Sequence, residues 1–188
     1  LEADGLADDT LVFFFSDHGT GMPGVKMFAW GPSLRVPLLV RFPPKWRHLA
    51  PAAPGTATDR LVSFVDFAPT VLSLAGLDLP GHFQGSAFLG PQAGASRALI
   101  FGGKDRQGEC ADTIRYVRDH RFQYLRNFQP HLPYGQYMSY VWQHERTRAW
   151  ERLHRAGQLT GPPARYFGPR KAVEELYDVQ RDPWQVNN

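Results

Sequence analysis

Two apolar runs dominate the first part of the chain. Residues 11–15 form an uninterrupted apolar run between polar residues, and residues 36–42 form a second, mainly apolar run that ends at Pro43. Runs of this length without alternation are typical of strands buried on both faces, as in a parallel sheet covered by helices. In residues 64–76 apolar positions recur at helical spacing, with Asp66 as a candidate cap and Gly76 after the last turn. The pattern therefore predicts an α/β arrangement with a mostly parallel sheet flanked by helices.

The pattern changes after a further strand predicted around Ile100. Two alternating runs, residues 114–117 and 122–126, are joined by a short polar turn, which is typical of a β-hairpin with one solvent-exposed face. Beyond it the pattern predicts a helix over about residues 139–156 and a short strand over residues 175–178. This change of sequence pattern near Ser96 predicts two domains, residues 1–96 and residues 97–188.

Composition and charge narrow the classes of function. The chain has 188 residues, of which 43% are hydrophobic, enough for a packed core. Its formal net charge is +3, but acids and bases are interspersed, so no nucleic-acid partner is expected. The longest apolar run is far shorter than a membrane span, so no membrane partner is expected either. The single cysteine, Cys110, excludes an internal disulfide.

The end of the first apolar run carries the clearest candidate chemistry. Asp17 and His18 follow the predicted strand directly, and Lys26 follows a glycine-rich stretch. A carboxylate and a neutral imidazole are both ligands for divalent cations, and a nearby ammonium suits an anionic substrate. Taken alone, the same residues are also typical of a turn with a capping aspartate.

Three longer motifs carry a resemblance to a known family. The string FFSDHGTGMPGVKMFAWGPSLRVPLLVRFP resembles the sulfatase family of the alkaline-phosphatase-like superfamily, in which a strand ends in Ser-Asp-(His or Asn)-Gly. In that family a Lys or Arg follows at a similar distance, and Arg-Val-Pro leads into the next strand. VSFVDFAPTVLSLAGL is similar to the family's Val-Asp-Leu-X-Pro-Thr helix. EELYDVQRDPWQVNN is similar to its Glu-Leu-Tyr-Asp-X-X-X-Asp-Pro-X-Glu-X-X-Asn motif.

Two further segments refine the resemblance. The resemblance is strongest to bacterial heparan N-sulfatase-like and related glycosaminoglycan-type sulfatases, in the sequence pattern of IRYVRDHRFQYLRNFQP and AWERLHRAGQLTGP. The resemblance implies that residues 1–96 are the C-terminal part of an alkaline-phosphatase-like sandwich. It also implies that residues 97–188 are a small C-terminal subdomain with an antiparallel hairpin, a helix and a short strand. Family members are mostly exported or lysosomal, so a periplasmic or secreted protein is expected.

The resemblance also assigns residues to a site. Asp17 and His18 match the pair that completes a Ca²⁺ site, whose other ligands in the family are two aspartates near the N-terminus. Lys26 matches the lysine or arginine that contacts the sulfate. The family's nucleophile is a formylglycine made within a Cys/Ser-X-Pro/Ala-X-Arg motif, and the chain has none, since CADTI at Cys110 lacks both the Pro or Ala and the Arg. We therefore expect this chain to supply half of a site, to be inactive alone, and to depend on the N-terminal remainder of the same protein.

Other residues are candidates for binding the substrate. Arg35 precedes the second strand and is a candidate anion contact, although an ion pair within the fold explains it as well. The loop predicted over residues 102–109 is a candidate pocket wall, with Lys104, Asp105 and Arg106, or alternatively a solvated loop. Aromatic and histidine side chains in residues 131–150 suit either stacking on sugars or core packing; they are His131, Tyr134, Tyr137, Trp142, His144 and Trp150.

Three hypotheses about function follow. The first is a calcium-dependent hydrolase of sulfate esters or sulfamates on a sugar. The second keeps the fold but changes the chemistry, as a phosphodiesterase or phosphonate hydrolase with two transition metals. The third is a non-catalytic sugar-binding or structural relic with an incomplete site.

Overall fold

The computed structural model describes residues 1–188 and divides into two compact units. Unit 1 comprises Leu1–Phe15 and Pro37–Ile100, and unit 2 comprises Ser16–Val36 and Phe101–Asn188. In chain order the strands and α-helices are β1 (Val12–Phe15), α1 (Gly31–Leu34), β2 (Leu38–Arg41), α2 (Phe67–Leu74), β3 (Ile100–Gln107), β4 (Cys110–Arg118), β5 (Phe122–Asn127), α3 (Ser139–Trp142), α4 (Glu145–Arg155), α5 (Pro162–Arg165) and β6 (Glu174–Asp178). Short 3₁₀ helices occupy Pro44–Leu49 and Phe64–Asp66.

Unit 1 contains the first two strands. They pair antiparallel, with Phe15 opposite Leu38, because the chain returns from the end of β1 to start β2 beside it. The parallel pairing predicted here is therefore not formed between these two strands. One face of β1 packs on α2, where the rings of Phe15 and Phe67 meet edge to face at 4.9 Å. The opposite face is exposed, with Phe14 at 65% and Leu39 at 58%, so the predicted burial on both faces is not seen within this chain.

Asp66 organises the start of α2. Its side chain is 2% exposed, and its carboxylate accepts hydrogen bonds from the backbone N–H of Ser63 at 3.0 Å and of Ser86 at 2.9 Å. The guanidinium of Arg97 donates to the same carboxylate at 2.5 and 3.1 Å. The predicted side-chain cap of α2 is not formed; Asp66 instead forms a reciprocal capping box with Ser63 at the 3₁₀ helix Phe64–Asp66, which leads into α2. Its bond to Ser86 also holds the loop after α2.

Unit 2 is built on a four-stranded sheet with the order β3-β4-β5-β6. The pairs β4–β5 and β5–β6 are antiparallel, which confirms the predicted hairpin and the predicted short strand. Its core cluster contains Ile114, Leu125 and Tyr177, and Ala29 from the segment Ser16–Val36 packs into the same cluster. The segment that holds the candidate site is therefore anchored on this sheet.

Two predictions of local structure differ from the structure. The helix predicted over about residues 139–156 is interrupted, because α3 ends at Trp142 and α4 begins at Glu145. The loop predicted over residues 102–109 is strand up to Gln107. The predicted domains 1–96 and 97–188 stay a prediction; the compact units change over at Ile100 and place Ser16–Val36 with unit 2. None of the helices combines the length and the apolar character that a membrane crossing needs.

Candidate functional site

A tight turn follows β1 and presents the predicted metal ligands. The Ser16 hydroxyl donates to the carbonyl oxygen of His18 at 2.7 Å, and the Gly19 N–H donates to the carbonyl oxygen of Ser33 at 2.8 Å. A Cβ at Gly19 would collide with the carbonyl oxygen of Pro32, so only glycine fits this approach of the two backbones. The turn is thereby fixed against α1 within unit 2.

Asp17 and His18 point their polar atoms towards each other. The Nδ1 atom of His18 lies 2.6 Å from the carbonyl oxygen of Gly19. Because a carbonyl oxygen only accepts, this contact places a proton on Nδ1, and in the neutral imidazole Nε2 is then the nitrogen that can bind a metal ion. Nε2 lies 3.5 Å from Oδ1 of Asp17, whose side chain is 82% exposed. Two acceptors at this separation match one edge of a coordination shell with ligands at roughly 2.4 Å.

The donor set fits only part of a metal site. The chain has no group of three or more His, Cys, Asp or Glu side chains placed to hold a metal ion. Ca²⁺ takes six to eight ligands, mostly oxygens, so Asp17 and His18 would have to be joined by ligands from outside this chain. The arrangement therefore agrees with half of a cation site, and equally with a solvent-exposed Asp–His pair.

Lys26 is held by an aromatic side chain of α3. Its ammonium donates a hydrogen bond to the Tyr140 hydroxyl at 3.0 Å and lies 4.8 Å from the centre of the same ring. The next residue, Met27, has φ of 75°, a left-handed conformation that a long side chain rarely adopts. Such an outlier beside a candidate substrate contact identifies a locally constrained segment.

A pocket opens beside Lys26, entirely within unit 2. It is lined by Gly21, Met22, Pro23, Gly24, Lys26, Met27, Phe28, Tyr140, Val141, His144, Arg146 and Tyr166. The glycine-rich stretch thus meets α3 and the start of α4, and Gly24 turns the chain there with φ of 76°. Tyr140 and Arg146 were missed by sequence reasoning, since neither belongs to a motif and Tyr140 is far from Lys26 along the chain.

Residues of the C-terminal motif form hydrogen bonds that hold the segment Ser16–Val36 in place. Glu175 is 2% exposed, and its carboxylate accepts hydrogen bonds from the Trp30 indole at 3.3 Å and from the hydroxyls of Tyr134 and Tyr177. The side-chain oxygen of Gln185 accepts from the Gly31 N–H. Glu175 and Gln185 therefore fix the chain just after the candidate site and do not line the pocket.

The other predicted substrate contacts lie apart from the pocket lining. Arg35 caps the end of α1, where its backbone N–H donates to the carbonyl oxygen of Gly31 at 2.7 Å. Its guanidinium has no ion-pair partner, so the predicted ion pair is not seen. Lys104 is 9% exposed and lies 3.4 Å from Asp112. Burial lowers the pKa of Lys104, although Asp112 acts against this.

Two neighbours of Lys104 are also engaged within the fold. Asp105 pairs with Arg115 at 2.8 Å, and Arg106 donates to the carbonyl oxygen of Gly108 at 3.0 Å. These contacts occupy the side chains in the sheet, so a role in substrate binding stays a prediction for both.

The structure places some members of the aromatic group in the core and others at the surface. Tyr134 is 4% exposed and belongs to a core cluster with Phe28, against which Trp150 packs. His144 lines the pocket, whereas Tyr137 is 64% exposed elsewhere on the surface. Core packing therefore accounts for the buried rings, and His144 is the member placed at the candidate site.

The chain matches a known family over its first part. Residues 1–77 match the family model described as Sulfatase. This range includes the turn with Asp17 and His18, together with Lys26 and Arg35, so the residues of the candidate site on Ser16–Val36 fall within the match.

Relatives extend the similarity over the whole chain. The ulvan-active sulfatase of Formosa agariphila is 37% identical over 188 residues, which cover 100% of this chain and 30% of that protein. The N-sulphoglucosamine sulphohydrolase of Homo sapiens is 29% identical over 205 residues, covering 100% of this chain and 39% of that protein. The chain thus spans about a third of the length of these relatives.

A solved structure shows the same fold. A protein in complex with its substrate, D-glucosamine-2-N,6-O-disulfate, superposes with a TM-score of 0.63 at 21% identity, covering 100% of this chain and 31% of that chain. Likeness at this level of identity concerns the fold alone. It confirms the predicted class, part of an alkaline-phosphatase-like α/β fold, for a chain whose own strand pairs are antiparallel.

Proposed function

The chain belongs to the sulfatase family, and from this premise we propose that the protein of which it is a part hydrolyses sulfate esters or sulfamates on a sugar. The observation that carries the proposal is the placement of Asp17, His18 and Lys26 on one segment of unit 2, within the matched range. The two relatives described above are named an ulvan-active sulfatase and an N-sulphoglucosamine sulphohydrolase, which supports a sulfated carbohydrate as the substrate.

Each of the three residues has a proposed role. Asp17 and His18 would hold a Ca²⁺ ion together with ligands from the remainder of the protein, through a carboxylate oxygen and the free Nε2 lone pair. When bound, this ion would supply positive charge that polarises the sulfate oxygens. Lys26 would contact the sulfate and offset negative charge as the S–O or S–N bond breaks. Tyr140 would orient Lys26, since its hydroxyl accepts a hydrogen bond from the ammonium at 3.0 Å.

The nucleophile is proposed to come from outside this chain. No Cys/Ser-X-Pro/Ala-X-Arg motif is present among the 188 residues, so a formylglycine cannot form here. Cys110 is buried and donates to the carbonyl oxygen of Tyr137 at 2.9 Å, and burial raises the pKa of its thiol. A buried thiol with a raised pKa is a poor nucleophile, so the chain alone is expected to release no sulfate.

The test uses the full-length protein with three substitutions. Sulfate released from sulfated monosaccharides is measured for the wild type, Asp17→Asn, Lys26→Gln and the control Lys45→Gln. Lys45 is an exposed lysine of unit 1 that pairs with Asp9. We expect Asp17→Asn and Lys26→Gln to lower kcat/KM about 100-fold or more, as for other losses of charge stabilisation in a transition state. Lys45→Gln should stay close to wild type.

The outcome separates the three hypotheses. Hydrolysis of a phosphodiester without sulfate release, by a protein that holds two zinc or manganese ions, would overturn the sulfatase in favour of a phosphodiesterase. Sugar binding without any hydrolysis would favour the non-catalytic alternative. Full activity in Lys26→Gln would remove Lys26 from the proposed site even if sulfate release is observed.

A further inference from the structure

The pocket beside Lys26 contains an arginine without an acidic partner. Helix α4 carries several arginines, and three of them are paired: Arg148 with Glu145 at 3.1 Å, Arg152 with Glu145 at 2.6 Å, and Arg155 with Glu151 at 2.6 Å. Arg146 belongs to the same helix but forms no ion pair, and it is the one of these four that lines the pocket. Its charge is therefore available to a ligand.

The position of the Arg146 guanidinium depends on a neighbouring glycine. The Nη2 atom lies 2.9 Å from where a Cβ of Gly21 would stand, so the guanidinium rests over the bare backbone of Gly21. Any larger residue at position 21 would displace it. The glycine-rich stretch thus provides the space in which this cation reaches the pocket.

The rest of the lining favours a negatively charged ligand. Lys26 and Arg146 are both part of it, His144 adds an imidazole, and none of the twelve lining residues is Asp or Glu. Tyr140 is 45% exposed, with the Lys26 ammonium 4.8 Å from the centre of its ring and the His144 ring edge-on to it at 5.5 Å. Aromatic faces suit the apolar side of a pyranose ring, and a guanidinium binds carboxylate or sulfate oxygens through paired hydrogen bonds.

We propose that this pocket binds a second anionic group of the substrate, and that Arg146 determines the preference for sugars that carry one. The inference rests on the proposed function, because Lys26 is assigned there to the sulfate that is cleaved. The ligand is then a sulfated sugar with a further oxyanion, either a carboxylate or another sulfate, whose ring lies against Tyr140. Arg146 is a specificity-determining residue that acts in binding and not in bond cleavage.

The experiment compares substrates that differ in one anion. The full-length protein is assayed on a monosulfated neutral hexose, on a disulfated hexosamine, and on a sulfated disaccharide that contains a uronic acid. The variants are Arg146→Gln, Arg146→Lys and the matched control Arg148→Gln, which removes a paired arginine from the same helix. Both kcat and KM are determined for every combination, and dissociation constants of the same sugars are measured by calorimetry.

Arg146→Gln should raise KM at least about tenfold for a substrate with two anions, as expected for the loss of a charged hydrogen bond. Its kcat and its KM for the monosulfated sugar should stay within about twofold of wild type. Arg146→Lys should retain part of the affinity, because it keeps the charge but loses the planar pair of donors. An effect confined to the disulfated sugar or to the uronic acid identifies which oxyanion the pocket takes.

Two results would overturn the inference. One is an equal loss on all three substrates, which would place Arg146 in folding or in the chemical step. The other is no loss on either substrate with two anions. If the wild type cleaves none of the sugars, the proposed function fails, and the calorimetric comparison still decides whether Arg146 selects sugars with two anions.

Discussion

At the scale of single residues, Gly19 sets the geometry of the candidate site. A methyl group there would collide with the carbonyl oxygen of Pro32, which is backbone and cannot move alone. We expect Gly19→Ala to lower the free energy of unfolding by about 1–3 kcal/mol, as overpacking does elsewhere. Urea unfolding measures this, and Gly81→Ala is the control because its Cβ would meet open space. Equal midpoints for the two variants would show that the turn relaxes without cost.

Asp66 offers a second test at this scale. Burial raises the pKa of its carboxyl, but hydrogen bonds from Arg97, Ser86 and Ser63 outweigh burial and hold the pKa below 3.8. Asp66→Asn leaves the Arg97 guanidinium without its anion, so we expect a loss of about 3–5 kcal/mol at neutral pH. Because the pKa is lowered in the folded state, this stability is present above about pH 4 and is lost as the pH falls through the folded pKa.

The corresponding measurement is denaturant unfolding between pH 2 and 7. The difference between the wild type and Asp66→Asn should shrink below pH 4, whereas Asp78→Asn, an exposed aspartate in the same unit, should follow the wild type throughout. A difference that is constant with pH would mean that the carboxylate charge of Asp66 contributes nothing.

At the scale of elements, the buried contacts of Glu175 on strand β6 are expected to make the stability of unit 2 fall at high pH. Burial, together with Glu175, raises the pKa of both Tyr134 and Tyr177 well above 10. Above pH 10 the unfolded chain ionises these tyrosines while the folded chain keeps them neutral, so stability is complete below pH 10 and falls above it, by about 1.4 kcal/mol per pH unit for each tyrosine. Tyr177→Phe should remove one such contribution to the slope between pH 10 and 12, and the exposed Tyr137→Phe should leave the slope unchanged.

The helices and strands also show how much of the structure the pattern of apolar residues predicts. The hairpin and β6 were predictable because alternation and turn residues are local signals. The interruption between α3 and α4 was not, since no Gly or Pro marks it and the break lies where His144 turns towards the pocket. The apolar runs of β1 and β2 predict burial on both faces, but Phe14 of β1 and Leu39 of β2 face solvent because nothing in unit 1 covers that side. An apolar run shows that a strand can be buried on both faces, but the elements that pack against the strand determine which faces are buried.

At the scale of the whole molecule, the candidate site combines predictable and unpredictable parts. Asp17, His18 and Lys26 follow one strand and carry a motif, so the sequence alone identifies them. Tyr140 and Arg146 reach the pocket beside Lys26 through tertiary contacts that span more than a hundred residues, and no local sequence pattern predicts them. The residues proposed to hold the reacting group were thus predictable from the sequence, and the residues proposed to select the substrate required the fold.

Calcium dependence is the prediction that only the whole protein can test. Asp17 and His18 are two acceptors 3.5 Å apart, too few to bind Ca²⁺ tightly by themselves. The 188-residue chain should therefore show no change in thermal midpoint on addition of Ca²⁺ or a chelator. The full-length protein should lose sulfatase activity and several degrees of thermal midpoint with a chelator, because an ion bound only to the folded state stabilises it by mass action.

Substitution distinguishes this site from any other cation site in the full-length protein. Asp17→Asn should weaken Ca²⁺ binding and flatten the dependence of the thermal midpoint on Ca²⁺, while Asp78→Asn should preserve both. Restoration of activity by Zn²⁺ or Mn²⁺ but not by Ca²⁺ would contradict the proposed ion and favour the alternative with two transition metals. A Ca²⁺ dependence that is identical in Asp17→Asn would exclude this turn as a ligand, however strongly the full-length protein depends on the metal.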